Sequence, residues 1–170
     1  SDLAPPVVFE GNAPARLDVS LAALVQVVPD AAVPRAIIGD AVSIAPPVAA
    51  VLRKRAGSNV LMVGSQSEPA MGVLAAMCTS LSRTPRAKII VVDPTLEDDA
   101  MFGRLGRGLS GCGVSARVVN AGAAVAAVRE CDELVAARHA EAGGEPTFLV
   151  LAGLHRLREL RKSEDFGFSL

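Results

Sequence analysis

The residues whose types and spacing most clearly suggest a binding site form a short glycine-containing turn. This turn lies between an apolar run and a helix-forming stretch. Residues 59–63 are apolar after Asn59, Gly64-Ser65-Gln66-Ser67 follows, and a long Ala/Leu/Met stretch comes next. A strand, a glycine turn and a helix in this order can hold phosphate groups through backbone N–H groups at the helix N-terminus. The pattern therefore indicates a phosphate-binding loop, with Gly64, Ser65, Gln66 and Ser67 as the candidate nucleotide contacts.

The residues that would let such a loop hydrolyse ATP are missing. The pattern GxxxxGK[ST] needs a second glycine, a lysine for the phosphate oxygens and a hydroxyl for Mg²⁺. Counting from Gly64, those positions hold Pro69, Ala70 and Met71. Each lost charge-assisted contact costs about 1.5–3 kcal/mol. We therefore expect an inactive, ATPase-like domain with no catalytic residue and no metal ligand, to which ATP or ADP binds weakly at most and Mg²⁺ does not bind.

The same segment is also explained as a plain turn between a strand and a helix. Gly64 would supply the bend, Ser67 would cap the helix and Pro69 would start it. Glu68 would repel an anion at this helix start. We favour the turn, and phosphate binding is the alternative.

Two further polar sites follow predicted strands. Asp93 could contact a base, a ribose or a partner's arginine, but an Asp-Pro pair also makes a turn at a strand end, which we favour. A basic run after the last strand could follow a DNA backbone or bind an acidic partner, or it could be a solvated face balanced by nearby acids. This run comprises His155, Arg156, Arg158, Arg161 and Lys162.

The elements that must position these residues alternate between strand and helix. The apolar pattern predicts strands at 59–63, 87–92, 114–119 and 147–151, and helices at about 69–82, 96–107 and 122–141. Apolar strands separated by helices imply a parallel sheet covered on both faces and joined by right-handed crossovers. Loops at the carboxyl ends of such strands share one edge. We therefore predict an α/β fold in which Gly64–Gly72, Asp93-Pro94 and Ala152-Gly153 meet.

The first 58 residues differ from the rest because they are rich in Pro and Ala. They contain a short strand pattern at 7–9, a weak helix pattern near 17–27, an extended stretch at 36–43 and a short helical stretch at 48–53. We interpret residues 1–58 as an irregular N-terminal segment that packs on a core formed by residues 59–170.

Composition limits the partners and the compartment. The 17 basic and 18 acidic residues nearly cancel, so only local patches can attract nucleic acid. With no Trp, no Tyr and five Phe, the chain cannot build an aromatic platform for single strands. The three cysteines, Cys78, Cys112 and Cys131, are far apart and lie beside small or apolar residues, which indicates buried, reduced thiols. No apolar run approaches the length of a membrane span, and we expect a cytoplasmic protein without membrane contact.

Four landmarks across residues 36–162 resemble the motor domain of the FtsK/SpoIIIE–HerA family of DNA-translocating ATPases. Ile38-Gly39-Asp40 and residues 47–53 match the family's extended strand and the short helix after it. Val91-Val92-Asp93-Pro94 matches the second strand, which ends in Asp-Pro. At the Walker B strand, residues 148–151 are followed by Ala152-Gly153 in place of Asp-Glu. The resemblance implies a RecA-like, P-loop NTPase-type parallel sheet that has lost both halves of its catalytic machinery, because the acids that hold Mg²⁺ and polarise water are absent.

These observations together predict a degenerate FtsK/SpoIIIE-like ATPase domain. Its expected role is a non-hydrolysing structural or regulatory module of a larger, ring-forming, DNA-associated ATPase, and we expect the chain to be a fragment of it. Its partners would be other copies or the remaining domains, with DNA contacted only through the basic run. Two alternatives stay open. One is a genuine nucleotide-binding domain of a DNA translocase with an atypical phosphate loop. The other is a protein–protein interaction module that uses an exposed apolar edge, because a sheet that is cut after Leu151 would leave a strand unpaired.

Overall fold

The chain forms a two-stranded hairpin followed by an α/β unit. The computed structural model describes residues 33–41, 45–55, 57–140 and 144–160. In chain order the elements are β1 (Arg35–Gly39), β2 (Val48–Val51), α1 (Ser67–Leu81), β3 (Lys88–Val92), α2 (Arg104–Gly111), β4 (Ala116–Val119), α3 (Ala124–Ala140) and β5 (Thr147–Leu151). Short 3₁₀ turns cover 121–123, 154–156 and 158–160.

The three later strands form a parallel sheet in the order β4-β3-β5. Ile89 lies opposite Ala116 on one side and opposite Phe148 on the other. The strands predicted at 87–92, 114–119 and 147–151 are confirmed within two residues. Their apolar, β-branched composition suits a strand buried on both faces.

Both faces of this sheet are covered, as predicted. Because side chains alternate along a strand, Ile89 and Val91 of β3 enter one core cluster while Ile90 and Val92 enter another. The first cluster contains buried residues from α1 and α2, namely Cys78, Leu81, Leu105 and Leu109. The second contains Ala124 and Ala127 of α3 together with Leu157. Helices α1 and α2 therefore share one face, and α3 covers the other.

The hairpin packs on α1. Strand β1 pairs with β2 in antiparallel fashion, Ala36 and Ile37 are buried, and the Ile37 N–H donates to Ser80 Oγ at 2.9 Å. The extended stretch predicted at 36–43 is confirmed for residues 36–39. The helix predicted at 48–53 is wrong, because pairing with β1 holds residues 48–51 in β2. The patterns at 7–9 and 17–27 lie outside the described residues.

The strand predicted at 59–63 is wrong. Residues 59–63 form neither strand nor helix, and Leu61 and Val63 are 80% and 87% exposed. An apolar run becomes a strand only when a neighbouring strand accepts its backbone hydrogen bonds. No strand in the described part of the chain lies beside this run.

The helix predicted at 96–107 begins late. Residues 97–103 are turns, and α2 starts at Arg104 and ends at Gly111. Two local features delay it. The Asp99 side chain accepts a hydrogen bond from the Met101 N–H, and Gly103 adopts a left-handed φ of 66°, which favours glycine and interrupts a helix.

Candidate functional site

Two of the three predicted loops meet at the carboxyl edge of the sheet. A Cβ added to Gly153 would lie 3.5 Å from Pro94 Cγ, so the loop after β5 touches the loop after β3. Gly153 has φ 68° and precedes a 3₁₀ turn at 154–156. The left-handed conformation turns the chain sharply away from β5. The two loops therefore form one continuous rim.

The Asp93 carboxylate is used inside its own loop. Asp93 is 8% exposed, and its Oδ1 accepts hydrogen bonds from the Thr95 N–H at 3.1 Å and from Thr95 Oγ1. Its backbone N–H donates to the Val119 carbonyl at 2.8 Å, which extends the β3–β4 ladder by one residue. This is the geometry of an Asx turn, and it agrees with the turn interpretation of Asp93.

An ion pair between Asp99 and Arg156 joins the segment after β3 to the segment after β5. Arg156 Nη1 lies 3.1 Å from Asp99 Oδ2, with both side chains partly exposed. The hydrogen bond from the Met101 N–H, followed by the bond from Arg156, lowers the pKa of Asp99. Sequence reasoning did not select Asp99. Asp side chains commonly accept the backbone N–H two residues further on, and this Asx-turn tendency is the signal that could have identified Asp99.

A shallow cleft of about 220 Å³ opens beside this pair. Its walls are the turn after β4, which contributes Ala121, Gly122 and Ala124, and the segment after β5, which contributes Arg156, Leu157, Arg158 and Glu159. The predicted basic run thus places Arg156 and Arg158 on a common cleft. Arg161 and Lys162 lie outside the described residues.

Two features reduce the positive charge that this cleft offers. Arg156 is paired with Asp99, and Glu159 lines the same cleft. His155 is exposed next to it. Among the described residues of the basic run, Arg158 is the cation that faces the cleft without an ion pair.

The predicted phosphate loop is open to solvent. Every residue from Asn59 to Pro69 is exposed, and nothing lies within 4 Å of a Cβ added to Gly64. Within the described chain, residues 59–65 take part in no backbone–backbone hydrogen bond. A phosphate cradle requires several N–H groups that converge on one point. Among the described residues, no hydrogen bond links Gly64, Ser65, Gln66 or Ser67 to Asp93, whose partners are Thr95 and Val119.

The start of α1 differs from the predicted cap. Gln66 is the N-cap residue and makes no side-chain capping bond, while the helix begins at Ser67 and Pro69 is its third residue. Ser67 is therefore not the cap. The Ala70 N–H donates to the Gln66 carbonyl at 3.3 Å, so the helical ladder starts immediately after the loop.

A carboxylate lies in the first turn of α1. Glu68 Oε1 is 3.5 Å from Arg104 Nη2 at the start of α2, and both side chains are largely exposed. This pair joins the start of α1 to the start of α2, which follows the β3 loop. The open loop consequently lies toward the carboxyl edge, with Glu68 where an incoming phosphate would approach.

The position that the family resemblance would assign to two acids, directly after β5, holds residues without functional groups. Ala152 is buried and its N–H donates to the Val92 carbonyl at 2.9 Å. Gly153 provides the turn. Neither residue can hold a cation or polarise water, and across the described residues no group of three His, Cys, Asp or Glu side chains could bind a metal ion.

The cysteines occupy three different environments, and all three are free thiols. Cys78 is buried as predicted, and burial raises its pKa to about 11, which keeps the thiol protonated and unreactive. Cys112 is exposed at the end of α2, so the prediction of burial is wrong there. Cys131 is half-buried, and burial raises its pKa. None of the helices within the described ranges has the length and apolar character needed to cross a membrane.

No family model, curated protein or solved structure matches this chain. The similarity to the FtsK/SpoIIIE–HerA family therefore depends on the residues quoted above.

Proposed function

We propose that this chain is a degenerate, non-hydrolysing P-loop-type domain that acts as a structural or regulatory module of a larger cytoplasmic FtsK/SpoIIIE-like assembly. Its partners would be other copies or the remaining domains of that assembly. The observation that most supports the proposal is the open segment from Gly64 to Ser67. Helix α1 starts directly after this segment, and the Glu68 carboxylate lies beside it. The lysine and the Mg²⁺-binding hydroxyl of an ATPase are replaced by Ala70 and Met71, and Ala152-Gly153 stands in place of an acidic pair.

The balance of charges at the start of α1 supports weak or absent nucleotide binding. The exposed N-terminus of a helix favours an anion by about 0.3–1 kcal/mol. Glu68 places a negative charge in the same turn, and repulsion of similar size offsets that attraction. A dissociation constant of 1 mM already requires about 4.1 kcal/mol of binding free energy. The remaining contacts, from Ser65, Gln66 and Ser67, are exposed to water.

Contact with DNA would be limited to charge. Each phosphate neutralised on a duplex contributes a slope of about −0.9 to the salt dependence of binding. Arg156 and Arg158 line the cleft, but Arg156 is already paired with Asp99. We therefore propose that the basic run assists an assembly on DNA and does not bind DNA tightly by itself.

Isothermal titration of ATP and ADP, with and without Mg²⁺, tests this function. The wild-type chain should give no binding heat up to about 1 mM ligand. The double variant Ala70→Lys, Met71→Ser restores the lysine and the hydroxyl, and Ala76→Lys is its control because it adds the same charge farther along α1. Binding by the double variant alone would support the family resemblance.

A submillimolar affinity of the wild-type chain would contradict the proposal. If that binding also required Mg²⁺ and led to phosphate release, the chain would be an active ATPase. Binding without Mg²⁺ and without hydrolysis would instead favour the nucleotide-binding alternative.

A further inference from the structure

Three consecutive cations lie at the exit of the hairpin. Arg53, Lys54 and Arg55 come just after β2, and all three side chains are exposed. No ion pair among the described residues involves any of them. Between Asp40 and Glu68 the sequence has no acidic residue. This basic triplet is therefore a local source of positive potential in a chain with almost no net charge.

The geometry of the hairpin separates Asp40 from the basic triplet. Arg35 lies opposite Val51, at the end of β2 next to the triplet, whereas Gly39 lies opposite Val48. Asp40 therefore follows the far end of the hairpin. Arg35 adds a further positive charge at the near end, and its buried Nε has no hydrogen-bond partner. Within the described ranges, no carboxylate pairs with a cation at this end of the hairpin.

An exposed apolar segment begins beside the triplet. The Ser58 N–H donates to the Arg55 carbonyl at 3.4 Å, and Gly57 has φ 80°. The chain therefore turns back toward Arg55 before the apolar residues begin. Among the large apolar side chains of the described residues, Leu61 and Val63 are the most exposed. The triplet and the apolar segment thus form one surface patch, which comprises residues 53–55 and 57–63.

The two parts of this patch call for a partner that is both anionic and apolar. Duplex DNA would supply phosphates to the triplet but would leave Leu61 and Val63 in water. A second copy docked on the same patch would bring like charges together. The surface of an anionic bilayer supplies both properties, because its headgroups attract basic side chains and the boundary below them accepts apolar ones. Charge complementarity and apolar exposure together therefore favour a lipid surface.

We propose that this patch binds the surface of an anionic lipid bilayer. The basic triplet lies at the headgroups, and the side chains of Leu61 and Val63 enter the boundary between headgroups and acyl chains. The backbone of residues 59–63 stays at a depth where water and headgroups satisfy its polar groups. This contact revises the expectation that the chain does not touch a membrane, which was drawn from the lack of a spanning segment. The inference goes beyond the proposed function, because it holds whether or not the chain binds nucleotide.

Sedimentation of the full 170-residue chain with lipid vesicles tests the contact. Vesicles of phosphatidylcholine with one third phosphatidylserine should bind the chain, and pure phosphatidylcholine vesicles should bind it at least about tenfold less well. The triple variant Arg53→Gln, Lys54→Gln, Arg55→Gln should weaken binding to the anionic vesicles about a hundredfold, at about fivefold per cation. The double variant Leu61→Ser, Val63→Ser keeps the charge and should weaken it at least about tenfold.

A second triple variant controls for net charge. Arg83→Gln, Arg86→Gln, Arg129→Gln removes the same charge from exposed positions elsewhere in the chain. It should weaken vesicle binding by less than about fivefold, which is the effect of one cation at the membrane surface. If the two triple variants lose the same affinity, binding follows net charge and the proposal is wrong.

A single tryptophan reports whether the apolar segment enters the bilayer. The chain contains no Trp, so Leu61→Trp carries one reporter, and Leu96→Trp is its control at another exposed apolar residue. On anionic vesicles the emission of Leu61→Trp should shift to shorter wavelength and be quenched by brominated acyl chains. The emission of Leu96→Trp should not change.

Four outcomes would overturn the proposal. The first is a wild-type chain that does not bind anionic vesicles, and the second is binding without a change in the emission of Leu61→Trp. The third is binding of duplex DNA, but not of vesicles, that the loss of the basic triplet abolishes, because the patch would then be a nucleic-acid contact. The fourth is assembly of the chain without lipid that Leu61→Ser, Val63→Ser abolishes, which would assign the patch to a second copy.

Discussion

The Asx turn at Asp93 makes a quantitative prediction about a residue that the sequence offered as a ligand contact. Replacing Asp93 with alanine removes the acceptor of two hydrogen bonds from Thr95. Hydrogen bonds to a charged group contribute about 1.5–3 kcal/mol each, but the freed Thr95 groups regain part of this from water. We therefore expect Asp93→Ala to lower the free energy of unfolding by about 2–3 kcal/mol. Asp93→Asn keeps an oxygen acceptor in place and should cost about 1 kcal/mol.

Thermal and urea unfolding of the two variants and the wild type measure these changes. For a chain of this length each kcal/mol corresponds to a shift of about 2–4 °C in Tm. Alanine should lower Tm by about 5–10 °C and asparagine by about 2–4 °C. Equal losses in the two variants would refute the hydrogen-bonding argument. A stable Asp93→Ala variant would show that the carboxylate does not hold the loop and would restore its candidacy as a ligand contact.

Three further predictions concern the core, the backbone and pH. Leu105 is 2% exposed, so Leu105→Ala should destabilise the chain by about 3–5 kcal/mol in urea unfolding, whereas Leu96→Ala at an exposed site should change stability by less than about 0.5 kcal/mol. Gly72→Ala should raise the free energy of unfolding by about 0.5–1 kcal/mol, because a Cβ in this part of α1 meets nothing within 4 Å. Gly153→Ala should lower the free energy of unfolding by about 1–2 kcal/mol, because Gly153 has a left-handed φ. Melting curves measure both changes. The pKa of Asp99 is lowered in the folded chain. The ionised Asp99 therefore stabilises the fold fully above the unfolded pKa of about 3.9, and this contribution is lost as pH falls through the lower folded pKa. The urea midpoint of Asp99→Asn should accordingly fall less than that of the wild type between pH 7 and pH 3.

The sheet could be predicted because its signal is local. Residues 88–92 and 147–151 are short, apolar and β-branched, with helical stretches between them. Each run is long enough for one strand and too short for a helix. Parallel pairing, coverage of both faces and convergence of the loops after β3 and β5 follow from chain order and handedness.

The failures share a different cause, because they depend on tertiary partners. Residues 59–63 have the composition of a strand but no partner edge within the described chain, and residues 48–51 have a helical pattern but pair with β1. At the candidate site, the side chain of Asp99 and the left-handed Gly103 set the start of α2. Sequence periodicity contains no information about such contacts.

The position of β3 at the centre of the sheet has a consequence for how the chain is made. β4 is synthesised soon after β3, but the other edge of β3 has to wait for β5, and the ion pair that then closes the rim joins residues 57 positions apart. Loop closure over long separations is slow. During synthesis on the ribosome, β3 would thus have β4 as its neighbour but lack β5. The side chains of Ile90 and Val92 would stay uncovered until α3 and β5 emerge. Pulsed hydrogen exchange during refolding should accordingly show protection of β4 amides before β5 amides, and chaperones that bind apolar strands would find their target in this interval.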